Sequence, residues 1–238
     1  MQNPIYLSGI NTFEHLLSMT SSSFSRNIGL FVESNFIAFK VSENTSHNQL
    51  INYFKNYFPL KEKEQEELLG RFAERTIKRR GFILQEGDVC RHFTFVVKGC
   101  FRMYAIDKAG KEHNIQFSAE NDWIADLSSF YSERPSGVYI EAIEPSSILQ
   151  IKHSELLHLY TTYPKFDRNF RIIIEHKYIA LQKRVLQNIS STAEERYLSF
   201  LEQYPHLANR LPNTQIASYI GVTPEFLSKI RKDLSHKA

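Results

Sequence analysis

The chain has 238 residues, 42% hydrophobic and 23% charged, a composition that predicts a water-soluble globular protein of one or two domains. A net charge of +3 and a pI near 8.7 are compatible with a nucleic-acid partner but too mild to argue for one. Two cysteines, Cys90 and Cys100, exclude a disulfide scaffold, no CxxC pair suggests a zinc site, and no run of about 18 apolar residues could span a membrane.

The N-terminus, "MQNPIYLSGINTFEHLL", lacks the basic start, long apolar block and small-residue cleavage site of a signal peptide, so a cytoplasmic protein with buried free thiols is expected. In residues 1–48, the polar stretches "SMTSSSFSRN" and "SENTSH" surround an ambiguous apolar piece, "GLFVESNFIAFKV". They read equally as a small appendage, a partly ordered arm or a start assigned too early. From Gln49 to Arg80 the pattern is helical. Leu50, Tyr53, Phe54, Tyr57 and Phe58 recur at three- and four-residue steps, and "PLKEKEQEELLGRF" places Leu68, Leu69 and Phe72 on one side.

At Gly81 the texture changes. Through Ile151, short strands are punctuated by Gly81, Gly87, Gly99, Gly110 and Gly137. Phe93, Phe95 and Val97 alternate with Thr94 and Val96, and Phe101, Met103 and Ala105 continue the two-residue beat. "DKAGK" reads as a hairpin tip with Gly110 free to take positive φ. This spacing predicts a barrel or sandwich rather than a parallel sheet.

After "SELLHLYTTYP", residues 165–190 form one long helical segment. Ile174, Leu181 and Asn188 recur at seven, interleaved with Arg171, Tyr178 and Val185. That spacing fits a heptad-like dimer seam; it fits equally an amphipathic helix lying on the barrel. The remainder is helical, broken at Pro205, Pro212 and Gly221.

The stretch "IASYIGVTPEFLSKIRKDL" carries the clearest functional signal. At 100° per residue, Leu227, Ile230 and Leu234 share one face, and Glu225, Ser228, Lys229 and Lys232 lie opposite, with Arg231 on the flank. Thr223 suits the cap and Pro224 the first helical position. Ile216 and Ile220 edge the preceding helix, Ala217 permits close approach, and Gly221 supplies the tight turn. This is a helix-turn-helix, whose second helix enters the major groove of DNA. Lysine, glutamate and serine can all meet base edges or phosphates. An ordinary helical hairpin with a charged outside remains the bland alternative.

A glycine-punctuated roll, a long helix and a C-terminal helix-turn-helix together resemble the Crp/Fnr transcriptional regulators, from about Gln49 onward. "ILQEGDVCRHFTFVVKGCFRMYAIDKAGKEHNIQF" is similar to that family's roll, and "TAEERYLSFLEQYP" and "IASYIGVTPEFLSKIRK" to its Bacteroidetes branch. The resemblance implies an α+β chain. A cyclic-nucleotide-binding-like double-stranded β-helix over residues 49–164 would follow an N-terminal extension, residues 1–48. A dimerisation helix, 165–190, would then carry a helix-turn-helix DNA-binding domain, 191–238. It further implies a homodimer on double-stranded DNA, with RNA polymerase a further partner. By position Glu225, Ser228 and Lys229 would reach bases, while Thr214, Gln215, Arg231 and Lys232 would hold the backbone, with Thr223 and Pro224 opening the recognition helix. Ile174, Tyr178, Leu181, Val185 and Asn188 would pair across the dimer.

Three departures from the family pattern stand out. Its cyclic-nucleotide binders carry Gly-Glu and a later Arg-Ser/Thr-Ala; in "DWIADLSSFYSERPSGVYIEA", Ala125 and Asp126 replace the first pair, and Ser136 and Gly137 stand where Arg and Ser/Thr belong. Without that guanidinium the phosphate loses a charge-assisted partner worth about 1.5–3 kcal/mol. Arg134 falls two residues early. Asp126, Ser128, Arg134, Ser136 and Gly137 thus mark a candidate pocket that is expected to hold no cyclic nucleotide and no cofactor. The first 48 residues also lack the cysteines of the iron–sulfur oxygen sensors. Finally, the chain stops four residues past Leu234, so no clear wing is expected.

An enzyme finds no support: GxSxG, GxxxxGK[ST], HExxH and the cupin HxH pair are absent. His153 and His158, five apart, share a helical face poorly as metal ligands. The remaining rival is a ligand- or partner-binding module that has lost DNA binding.

Overall fold

The computed structural model describes residues 45–57 and 59–237. Phe58 and all but the last residues of the 1–48 extension lie outside them. Gln49–Ala238 forms one compact unit.

Two helices come first, α1 (Thr45–Lys55) and α2 (Glu62–Gly70). Leu50 and Phe54 from the first stripe, and Leu68 from the second, are fully buried. The helical pattern read as far as Arg80 ends earlier. Residues 73–77, "AERTI", form a strand, because their backbone completes the open edge of the last strand of the roll, in register from Ala73 opposite Gln150 to Ile77 opposite Ser146. Ladder hydrogen bonds along a sheet edge outweigh the weak helix preference of so short a segment.

The roll comprises β1 (Ala73–Ile77), β2 (Phe82–Leu84), β3 (His92–Lys98), β4 (Phe101–Ile106), β5 (Glu112–Ser118), β6 (Trp123–Ile124), β7 (Tyr139–Ala142) and β8 (Ser146–Lys152), with helix α3 (Leu127–Ser132) between β6 and β7. Two antiparallel sheets result, in orders β1-β8-β3-β6 and β2-β7-β4-β5. The chain passes from one sheet to the other at Gly99, where φ is +99° and a Cβ would lie 2.1 Å from Ser146 Oγ. Only glycine fits that corner. The Asp107–Lys111 tip forms as expected, with Gly110 at φ +81° and Asp107 Oδ1 accepting from Ala109 and Lys111 N–H.

The alternation read in β3 does not become alternating burial. Phe93 to Val97 are all buried, because both faces of the strand are covered. Trp123 stacks on Phe93 at 5.0 Å and is ringed by Phe54, Phe72 and Phe95.

Four more helices follow the roll and a fifth closes the described chain: α4 (His153–Thr162), α5 (Pro164–Ser190), α6 (Ala193–Gln203), α7 (Asn213–Ile220) and α8 (Pro224–Lys237). Residues 204–212 are turns rather than the helix read there, since Pro205 cannot continue α6. Helix α5 presents two different surfaces. Its first half lies on the roll through buried Phe166, Phe170 and Ile173, while its second half exposes Tyr178 (59%), Leu181 (50%) and Val185 (50%). A second core joins Cys100 and Phe117 of the roll to Tyr197, Phe200, Ile216, Ile220, Leu227 and Ile230. Both cysteines are buried free thiols.

Candidate nucleic-acid interface and sensor pocket

Helix α7 stops at Gly221, which takes the left-handed conformation at φ 73°, ψ 41° and donates its N–H to Ala217 O. Val222 N–H reaches the same carbonyl at 3.0 Å. Thr223 Oγ1 accepts from Phe226 N–H at 3.3 Å and so caps α8, whose first residue is Pro224. Leu227 and Ile230 are buried in the same cluster as Ile216, Ala217 and Ile220, which locks α8 across α7.

This packing leaves Glu225, Ser228, Lys229 and Lys232 exposed together. Glu225 accepts from its own backbone N–H and from Thr223, which holds its carboxyl below the usual range and keeps it an acceptor. Ser228 donates to Pro224 O at 2.9 Å, leaving its lone pairs outward. Thr214 is exposed as well.

Two residues read as backbone contacts are engaged inside the chain. Arg231 donates to Asn213 Oδ1 at 2.6 Å and lies over the Tyr197 ring. Gln215 Oε1 accepts from Asn114 Nδ2 at 2.7 Å and from Arg102 at 3.0 Å. Phe226, passed over in the sequence because it lies beside the polar face, is 47% exposed in the first turn of α8.

The contacts of Gln215 belong to a larger dock. Helix α7 lies along β5, where Ser218 Oγ accepts from Asn114 N–H and donates to Glu112 O. Buried Arg102 donates to Glu141 and Glu112 and lies 3.9 Å from the centre of the Tyr104 ring. Arg210, in the turn before α7, forks onto Glu120 with both bonds at 2.9 Å and also meets Glu144. Glu120 in turn accepts from Gly99 N–H at the sheet corner. Burial opposes ionisation of Glu120, but the Arg210 bonds outweigh it and its carboxyl lies below the usual range. Nothing in the sequence marks the partners that join Arg210, Gln215 and Ser218 to the roll, which lie 66 to 113 residues apart.

The candidate pocket is knitted to itself. Asp126 caps α3, accepting from Ser128 N–H (3.1 Å) and Ser129 N–H (3.4 Å), and its other oxygen accepts from Ser136 Oγ at 2.8 Å. Ser136 is buried, with its backbone tied to Asp88 O and Gly87 N–H. Ser129 Oγ bridges Cys90 N–H and Arg134 O. The amides that could meet an anion therefore already face a carboxylate, and Arg134 and Gly137 lie exposed at the rim. Burial pushes the adjacent Cys90 thiol above its ordinary range. Among the described residues, no cluster of three or more His, Cys, Asp or Glu could hold a metal ion, and no helix is long and apolar enough to cross a membrane.

Comparison with known proteins places this geometry. Residues 74–163 match the cyclic nucleotide-binding domain family. A Lacticaseibacillus casei protein named "Probable transcriptional regulator flp" is 22% identical over 170 residues, 69% of this chain and 77% of that one. FixK2 from Bradyrhizobium japonicum superposes with a TM-score of 0.61 at 20% identity, covering 70% of this chain and 85% of its own. A Crp/Fnr family protein from Eubacterium rectale gives 0.59 at 14%, covering 78% and 88%. The c-di-GMP-responsive global regulator CLP of Xanthomonas campestris gives 0.60 at 13%, covering 72% and 90%. Structural and sequence likeness together define the fold: a cyclic nucleotide-binding-type roll followed by a long helix and C-terminal helices, the arrangement these structures share.

Proposed function

We propose that this chain is a sequence-specific DNA-binding regulator that works as a homodimer. The observation that carries the reading is the face of α8: Glu225, Ser228, Lys229 and Lys232 stand exposed over a buried Leu227–Ile230 stripe. In a DNA complex, Glu225, Ser228 and Lys229 meet base edges in the major groove, and Thr214 and Lys232 meet phosphates. Two chains pair along the α5 seam of half-buried Ile174 and exposed Tyr178, Leu181, Val185 and Asn188, which sets two recognition helices about one DNA turn, roughly 34 Å, apart.

The roll then acts on the helix-turn-helix through a signal other than a cyclic nucleotide. Support comes from Asp126, which presents a carboxylate to the helix N-terminus where a cyclic phosphate would need a cation. The rival reading, a partner-binding module without DNA binding, draws on the internal engagement of Gln215 and Arg231.

Selection of bound sites from a random duplex library with the full chain separates the two. A two-fold symmetric site with half-sites one turn apart is expected. No enrichment above random sequence would leave the rival standing.

A further inference from the structure

The last four carbonyls of an α-helix have no partner within it. In α7, Ala217 O is taken by the turn that follows, but the next two that are bonded are held by arginines from other helices. Arg196 of α6 donates Nε to Ile220 O at 2.8 Å. Arg184 of α5 donates Nη2 to Tyr219 O at 3.1 Å.

Arg184 does more than cap. The same guanidinium donates to Asn114 O at 2.8 Å and to Ile115 O, both on β5, and lies 4.0 Å from the centre of the Tyr219 ring. One rigid, planar fork rooted in the long helix thus joins the roll to the end of α7. Only Gly221, Val222 and Thr223 separate that end from α8. Arg184 also follows Leu181 and precedes Val185 on the exposed seam, within one turn of the surface assigned to the dimer.

From this arrangement we propose that Arg184 is the positioning residue that fixes each recognition helix relative to the dimer axis, and so sets the spacing between half-sites that the protein accepts. The inference rests on the DNA-binding dimer proposed above and names the part that gives it a fixed geometry. Each added base pair moves one half-site by about 3.4 Å and turns it by about 35° about the duplex. A helix-turn-helix whose first helix is tied at Tyr219 to the same fork that grips Asn114 O and Ile115 O of β5 follows that rotation less readily than one held only by apolar packing. Lysine does not substitute, because a single ammonium lacks the fork.

The test uses the full chain and the duplex enriched from the random library, remade with the half-site spacing changed by one and two base pairs in each direction. The quantity read is the ratio of affinities across spacings, for wild type, Arg184→Ala, Arg184→Lys and Lys232→Ala. Wild type and Lys232→Ala should prefer one spacing by about tenfold or more. Both Arg184 variants should flatten that preference to about threefold or move it. Uniform weakening with an unchanged profile would mean that Arg184 merely stabilises the fold, and would overturn the proposal, as would a flat wild-type profile. Should Arg184→Ala fail to fold by thermal melt, Arg184→Lys alone carries the same two outcomes. If wild type binds no duplex at all, the DNA-binding reading itself falls, which is a different result from a flat profile.

Discussion

Lys229 and Lys232 are both exposed on α8, yet they are assigned different work. Lys229 shares the central face with Glu225 and Ser228, while Lys232 lies a turn further along, where in the proposed complex the helix would leave the groove. Lys229→Ala should therefore lower the preference for the selected operator over random DNA by about 1–3 kcal/mol. Lys232→Ala should weaken both equally and reduce the salt slope by about one. Competition binding at several salt concentrations reads both effects, and indistinguishable behaviour of the two variants would contradict the assignment. At Ser136 the expectation is also definite. Its hydroxyl is committed to Asp126, and no guanidinium lies at that position to receive a phosphate. Calorimetric titration with cyclic AMP should give no saturable heat at micromolar ligand; a clear micromolar isotherm would refute the reading of this pocket.

Among the elements, α5 joins two kinds of surface in one 27-residue helix. Its first half is part of the roll's core, where Phe170 meets Phe54, Phe93 and Trp123 within 6 Å. Its second half exposes Leu181 and Val185 at half their full area, together with Ile189 at 79%. Contiguous exposed apolar side chains along a helix ask for a partner, and in the proposed dimer a second α5 would supply the matching stripe. The protein should scatter light as a dimer of about twice 27.8 kDa. Leu181→Asp should weaken self-association about a hundredfold or more by placing an unpaired charge in the seam. The same variant should leave the thermal melt of the monomer nearly unchanged, since Leu181 touches no core. A wild-type monomer at micromolar concentration would end the paired-helix account.

Over the whole molecule, the roll and the C-terminal helices are fastened by a shared core and by ion pairs at its margin. Glu120 is the carboxylate that ties the sheet corner at Gly99 to Arg210. Its folded pKa lies below the ordinary 4.5, so its contribution is complete above about pH 4.5 and drains away as pH falls through the lower folded value. After solvent screening, the pair contributes about 1 kcal/mol. Glu120→Gln should lower the melting temperature at pH 7 by a few degrees, and the two proteins should converge toward pH 3. Melts that stay equally far apart at both pH values would show that the loss is one of packing rather than charge.

The amino-acid sequence by itself determined the features that depend on neighbours along the chain. The Gly110 turn, the Thr223 cap, the Leu227–Ile230 stripe and the long α5 pattern are all local, set by periodicity and by backbone preference within a few residues. Only the tertiary structure decided which surface each element would meet. "AERTI" became a strand because β8 offered an open edge, and β3 lost its alternation because helices covered its second face. Gln215 turned toward Asn114 and Arg102, and Arg184 gathered carbonyls from β5 and α7, across separations that no local pattern encodes. The physical reason is common to all four: a hydrogen bond or a buried face is satisfied by whatever the fold brings within about 3 Å, and proximity in space is a property of the whole chain.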